Sequence, residues 1–177
     1  MTMTRKNGMH AITRRAGTLL IPMTAGIFIP GLLYLLLEPA RPLLPGGRWT
    51  LVGYPLIASG IYLTSHAAAL VYFLQDTPLG DKPPPQLVTS AVYSYVRNPM
   101  ALGMFLTLMG EATVLRSVVI LGWAGIFMGI SHWLALRVEE PSLRAAFGPV
   151  YEQYVATTPH WVPRFRFLVQ STPHYHE

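Results

Sequence analysis

The sequence contains no cysteine. That absence excludes a disulfide framework, a thiolate metal centre, a cysteine nucleophile, and any relay of a methyl or acyl group through a protein thiol. Charge is nearly as scarce: 12% of the 177 residues are Asp, Glu, Lys or Arg, whereas soluble domains carry about a quarter. So few charges cannot coat a water-soluble globule of this size. The formal net charge of +5 forms no long basic stripe, its residues being scattered beside apolar segments, which argues against nucleic acid as a partner. There is no strand leading into a glycine-rich turn of the dinucleotide-binding type. Internal repeats are lacking, and the only low-complexity tract is the triplet Pro83, Pro84 and Pro85. With no stretch that resembles a long linker, residues 1–177 read as a single membrane domain.

What is present is hydrophobic length. Hydrophobic residues make up 51% of the chain and the mean hydropathy is +0.37. Residues 16–37 are uncharged and about as long as the ~20 residues a helix needs to cross hydrocarbon. Pro22 and Pro30 fall inside this run, which a helix within a bundle tolerates at the cost of a kink. Its basic start imitates a signal peptide, but the run is too long and lacks a small-residue cleavage pattern. Residues 49–74 form a second run, with Trp49 placed as an interfacial aromatic. Residues 99–115, apolar except Glu111, and 117–136, apolar except His132, read as a helical hairpin joined at Arg116.

The expectation is therefore an all-α, multi-pass transmembrane bundle of about four spans: 16–37, 49–74, 99–115 and 117–136. Beyond Glu140, apolar residues at helical spacing predict a C-terminal interfacial amphipathic helix, bent or divided at Gly148 and Pro149. Four spans put both termini on one side. On that side lie Arg5, Lys6, Arg14, Arg15, Lys82, Arg97, Arg137, Arg144, Arg164 and Arg166, against Arg41, Arg48 and Arg116 opposite. The positive-inside rule then makes the termini and the loop at 75–98 cytoplasmic, in a plasma or inner membrane if the cell is prokaryotic.

Polar groups concentrate at two places on the cytoplasmic face. Gln86, Tyr93, Arg97 and Asn98 end the long loop, and Arg137, Glu139 and Glu140 end the fourth helix. One reading is structural: ionisable groups beside hydrocarbon pair with each other, Arg97 or Arg137 with Glu139 or Glu140. The other is a pocket in which the glutamates hold the amino group or sulfonium of a small ligand. Elsewhere, His66 is expected to hydrogen-bond a neighbouring helix, and Glu111 to lie near Arg116 at the outer interface. Met100, Met104, Met109 and Met128 read as packing residues. His174 and His176 have metal-like spacing on a tail, where two ligands do not make a site, so no metal centre is expected.

Several short motifs in register carry a resemblance. The run 87–93 (Leu-Val-Thr-Ser-Ala-Val-Tyr) is followed by Arg97, Asn98, Pro99 and Gly103. Then come Glu139, Glu140, Leu143, Phe147, Gly148, Tyr151, Tyr154, Val162, Pro163 and Arg164. This pattern, over roughly 77–164, resembles the isoprenylcysteine carboxyl methyltransferase and phospholipid methyltransferase superfamily. The resemblance implies a small helical membrane enzyme that uses S-adenosylmethionine, held at the cytosolic face by segments 75–98 and 137–165. By motif matching, cofactor contacts fall on Pro85, Gln86, Leu87, Val88, Tyr93 and Asn98, and on the pair Glu139 and Glu140, with Glu139 toward the cofactor's ammonium. Arg97 and Arg137 are the candidate catalytic residues, placed to hold an anionic acceptor.

The family pattern reads Arg-His-Pro-x-Tyr-x-Gly, and here Asn98 replaces the histidine and Ala101 the tyrosine. Asparagine still donates and accepts hydrogen bonds but is no protonatable base. A carboxylate acceptor needs no base, whereas a neutral amine or hydroxyl does. Two functions follow as expectations: an S-adenosylmethionine-dependent membrane methyltransferase acting on a membrane lipid, a lipophilic small molecule or a lipid-modified acceptor such as a carboxylate, or a noncatalytic membrane scaffold or binding protein that kept the fold. A small transporter is disfavoured by the absence of inverted repeats.

Overall fold

The computed structural model describes residues 24–38, 44, 46–73 and 86–163, and among them every regular element is helical. Helix α1 runs over Thr24–Leu37 and α2 over Thr50–Ala68, prolonged by a wide π turn, Ala69–Phe73. A 3-10 turn, Ala91–Ser94, precedes α3, Pro99–Leu115. Helix α4, Val118–Leu134, continues through a second wide turn, Ala135–Glu139, into α5, Glu140–Phe147; α6 is Pro149–Thr157. The beginning of the first expected span, 16–23, lies outside the described residues.

Two of these helical stretches, Thr50–Val71 and Val118–Phe147, are long and apolar enough to cross a membrane, and most of their residues are not buried. The large apolar side chains left outside, among them Leu35, Leu36, Ile61, Ile126, Ile130 and Trp133, are too many for a water-facing surface. The fourth apolar stretch does not stop near 136 as its sequence suggests. Pro141 has no N–H to bond the preceding turn, and the widened turn before it absorbs the loss: Glu140 N–H donates to Ala135 O, five residues back. The helix therefore carries on to Phe147. Pro30 is preceded by a wide turn of the same kind, Thr24–Phe28.

Helix α3 is the centre of the bundle. On one side it lies against α2 with backbones in direct approach. A Cβ built on Gly60 would sit 2.5 Å from Gly103 O, and one on Gly110 would sit 2.6 Å from Gly53 O. The two glycines on each helix are two turns apart, so small residues meet small residues along an antiparallel seam. Thr64 Oγ1 donates to Met100 O at 3.3 Å and ties the end of α2 to the start of α3. On the other side, Leu108 and Ala112 of α3 bury against Ile120 and Ala124 of α4, with Tyr34 of α1 and Trp123 and Phe127 packed around them. Trp123 Nε1–H donates to Ala25 O at 2.9 Å, holding α1 to α4.

The turn between α3 and α4 is built by two residues. Arg116 takes the left-handed conformation, φ 56°, and its N–H closes on Ala112 O. Ser117 caps α4 by accepting from Ile120 N–H at 3.1 Å, while its hydroxyl donates to Glu38 Oε2. The Arg116 Nε–H donates to Leu44 O at 2.9 Å. Among the described residues Arg116 therefore bonds to the α1–α2 connection and not to Glu111.

Candidate functional site

The opposite end of α3 is where the loop and the C-terminal segment meet. Asn98 stops the chain from extending and starts the helix: its Oδ1 accepts from Ala101 N–H at 3.3 Å, with Pro99 in the first turn. An asparagine at this position is among the strongest helix N-caps, so the residue that departs from the family pattern has a structural task here. The 3-10 turn before it begins at Ala91, φ 52°, and lies against α2.

Three contacts fasten this loop to the C-terminal segment. Tyr154 Oη–H donates to Tyr93 O at 2.7 Å. Arg97 N–H donates to Pro159 O at 3.0 Å. The Arg97 guanidinium donates through Nη1 to Glu140 Oε1 at 2.6 Å, with side chains only 17% and 8% exposed. Glu140 also meets Arg144 Nη2 at 3.5 Å and His160 Nδ1 at 3.1 Å, and Arg144 reaches on to Glu152 Oε1 at 2.8 Å. One buried carboxylate thus gathers two guanidinium groups, from the loop and α5, and an imidazole from the segment after α6. Burial pushes the Tyr154 phenol well above its usual range, with Tyr151 adding to the effect, so it is a neutral donor at physiological pH. Burial and the Arg97 guanidinium pull His160 below the usual histidine range, and Glu140 opposes them.

The two glutamates have different positions. Glu140 is buried in the cluster, whereas Glu139 is exposed as a residue and makes no hydrogen bond or ion pair with a described residue, its carboxyl being pushed above the usual range by desolvation and by the charge of Glu140. Arg137 is likewise exposed without such a pair. Neighbours in a helix point about 100° apart, so only one of the two glutamates turns toward Arg97. Gln86 is exposed, Leu87, Val88, Tyr93 and Asn98 are half-buried, and Pro85 lies outside the described residues.

The remaining polar groups fall into place around this end. His132 Nδ1 accepts from Trp161 Nε1–H at 3.1 Å, and its ring stands edge-on to His160 at 5.5 Å between centroids. His66 stacks on Tyr62 of its own helix, one turn earlier on the same face, 5.7 Å between centroids, and among the described residues no hydrogen bond joins it to a neighbouring helix. Sequence reasoning missed His160 and Trp161 altogether. They follow α6 in an irregular segment with no hydrophobic period, and the only signal was a histidine beside a proline near the end of the matched motifs.

No curated protein matches the sequence. Residues 49–150, more than half of the chain and including the loop, the central helix pair and the glutamates, match the phospholipid methyltransferase family, and the protein belongs to that family.

Proposed function

We propose that this chain is an S-adenosylmethionine-dependent membrane methyltransferase whose acceptor is a lipid or lipophilic small molecule that reaches the site from the bilayer. The observation that carries the reading is the fastening of the 86–98 loop to the C-terminal segment through Tyr93, Arg97, Glu140 and Pro159. The resemblance expects these same two segments to hold the cofactor. Family membership supports methyl transfer, and the apolar helices support a membrane setting. In this reading four helices span the bilayer as one domain with both termini cytoplasmic, α5 prolongs the fourth helix beyond the hydrocarbon, and α6, past the break at Gly148, lies along the cytosolic interface. The short Pro99–Leu115 helix, at 1.5 Å per residue, spans about 25 Å and lies tilted or shielded by its neighbours.

When bound, the cofactor supplies an electrophilic methyl group on a sulfonium. Glu139, unpaired by described residues and with its carboxyl raised above the usual range by desolvation and the neighbouring Glu140, takes the ammonium of its methionine part, whose positive charge offsets both. The backbone at 86–88, with Pro85 before it, takes the adenosine, and Tyr93 packs against it. Asn98 contributes through its amide NH2, since its oxygen caps α3. Glu140 lines the site from behind by holding Arg97. Arg97, and Arg137 on the exposed face, hold an anionic part of the acceptor. Alignment of donor and acceptor within about 3–3.5 Å, with water excluded, provides most of the acceleration an in-line displacement needs.

A noncatalytic scaffold is the second reading, favoured by one observation: Asn98 is spent on capping, and Ala101 leaves no aromatic wall. Titration of the detergent-solubilised protein with S-adenosylmethionine separates the two. Binding heat and a thermal shift, followed by labelled-methyl transfer to a total lipid extract, support the enzyme. No heat and no shift at millimolar cofactor would leave the scaffold.

A further inference from the structure

His160 takes no part in the chemistry above, yet its surroundings are those of a base. Its side chain is 13% exposed, and Nδ1 stands 3.1 Å from Glu140 Oε1. An ionised carboxylate only accepts, so Nδ1 carries the ring hydrogen and Nε2 of the neutral ring is a bare lone pair. Nε2 is buried and has no hydrogen-bond partner. An acceptor enclosed without a donor costs the desolvation of that atom, and native structures rarely leave one idle. A carboxylate fixing one nitrogen while the other stays open is how a general base is kept in a single tautomer.

We propose that His160 Nε2 is the proton acceptor in the methyl transfer and that Glu140 is the positioning residue that orients it; the proposal rests on the methyltransferase reading. It requires an acceptor that carries a proton, an amine or hydroxyl, and not a carboxylate. The acceptor's lone pair forms the new bond to the methyl carbon. The carbon–sulfur bond of the sulfonium breaks with its pair retained on sulfur, and the acceptor's N–H or O–H proton passes to Nε2. Charge balances: the positive charge of the sulfonium ends as imidazolium. Asn98 has no protonatable group for this role, and Nε2, enclosed, meets the acceptor only when its headgroup inserts beside the ring.

The charged and titratable groups facing His160 are Arg97 from the loop, Glu140 from α5 and His132 from α4. Burial first, then Arg97, lower its pKa, Glu140 raises it and His132 lowers it. The net direction is downward, so the ring is neutral at physiological pH and free to take a proton.

The test uses the full chain in detergent with two readouts. In nitrogen-labelled histidine NMR, His160 is expected as the Nδ1–H tautomer with a midpoint below about 6.5, the ordinary value; a proton on Nε2 in the neutral ring overturns the proposal. Methyl transfer from labelled S-adenosylmethionine to phosphatidylethanolamine in mixed micelles supplies the second. His160→Gln is expected to lower kcat on the order of 100-fold or more with cofactor Kd unchanged. The ratio of wild-type to variant kcat should fall with unit slope at acid pH, and added imidazole should restore His160→Ala. Full activity in both variants sinks the base alone, whereas a wild type that binds no cofactor sinks the methyltransferase reading itself.

Discussion

Replacing Gly60 or Gly103 by alanine adds one methyl group at the seam between α2 and α3, and the geometry there decides what it does. The new carbon on Gly60 would lie 2.5 Å from Gly103 O, and that on Gly103 would lie 2.7 Å from Gly60 O. Ordinary carbon–oxygen contact is near 3.4 Å, so each overlaps a backbone atom by roughly 0.7–0.9 Å, and a backbone carbonyl cannot rotate aside as a side chain can. The helices must separate, and overpacking of this kind costs about 1–3 kcal/mol. Gly125 of α4 gives the control, since a Cβ there meets nothing within 4 Å; Gly125→Ala should be neutral or stabilise by up to about 1 kcal/mol through helix propensity. Unfolding in a detergent series, read by circular dichroism, measures all three. The double variant Gly60→Ala with Gly103→Ala should lose less than the sum of the singles, because separating the helices for one methyl makes room for the other. Equal stability of Gly60→Ala and Gly125→Ala would refute the close approach of α2 and α3.

Four further outcomes are expected. Glu139→Ala should weaken cofactor affinity at least about tenfold, in line with loss of a charge-assisted contact, and leave stability unchanged; Glu140→Ala should do the reverse first, loosening 91–98 in hydrogen exchange and costing about 3–5 kcal/mol as Arg97 loses its buried partner. For His160 the folded pKa lies below the unfolded value of about 6.5. Its stabilising contribution is thus fully present above about 6.5 and is lost as pH falls through the folded pKa, a loss that His160→Gln should abolish in unfolding measured across a pH series. Gly148, φ 51° and ψ −127°, occupies a region closed to other residues, so Gly148→Ala should cost about 1–3 kcal/mol and perturb the junction of α5 and α6, visible in limited proteolysis there.

The residues differ in how much of their structural fate was written in sequence. Apolar runs were legible because hydrocarbon imposes length and composition directly, so α2, α3 and α4 begin within a residue of the expected starts. What lay between those runs was not, because it depends on neighbours. The spacing of Gly53 and Gly60 against that of Gly103 and Gly110 was visible as small residues two turns apart, but it acquires meaning only when α2 and α3 are set antiparallel. Glu139 and Glu140 are chemically the same and adjacent. Their separation into a residue that leaves the ion-pair cluster and one buried within it follows from helical phase, which places Glu140 one turn from Arg144 and opposite Arg97. The widened turn before Pro141 contributes to that phase: an α-helix without it would rotate the pair relative to Val118–Leu134, and the glutamate meeting Arg97 would change. A proline that reads as a helix boundary is in this fold the reason a continuous helix presents Glu140 to Arg97 and His160.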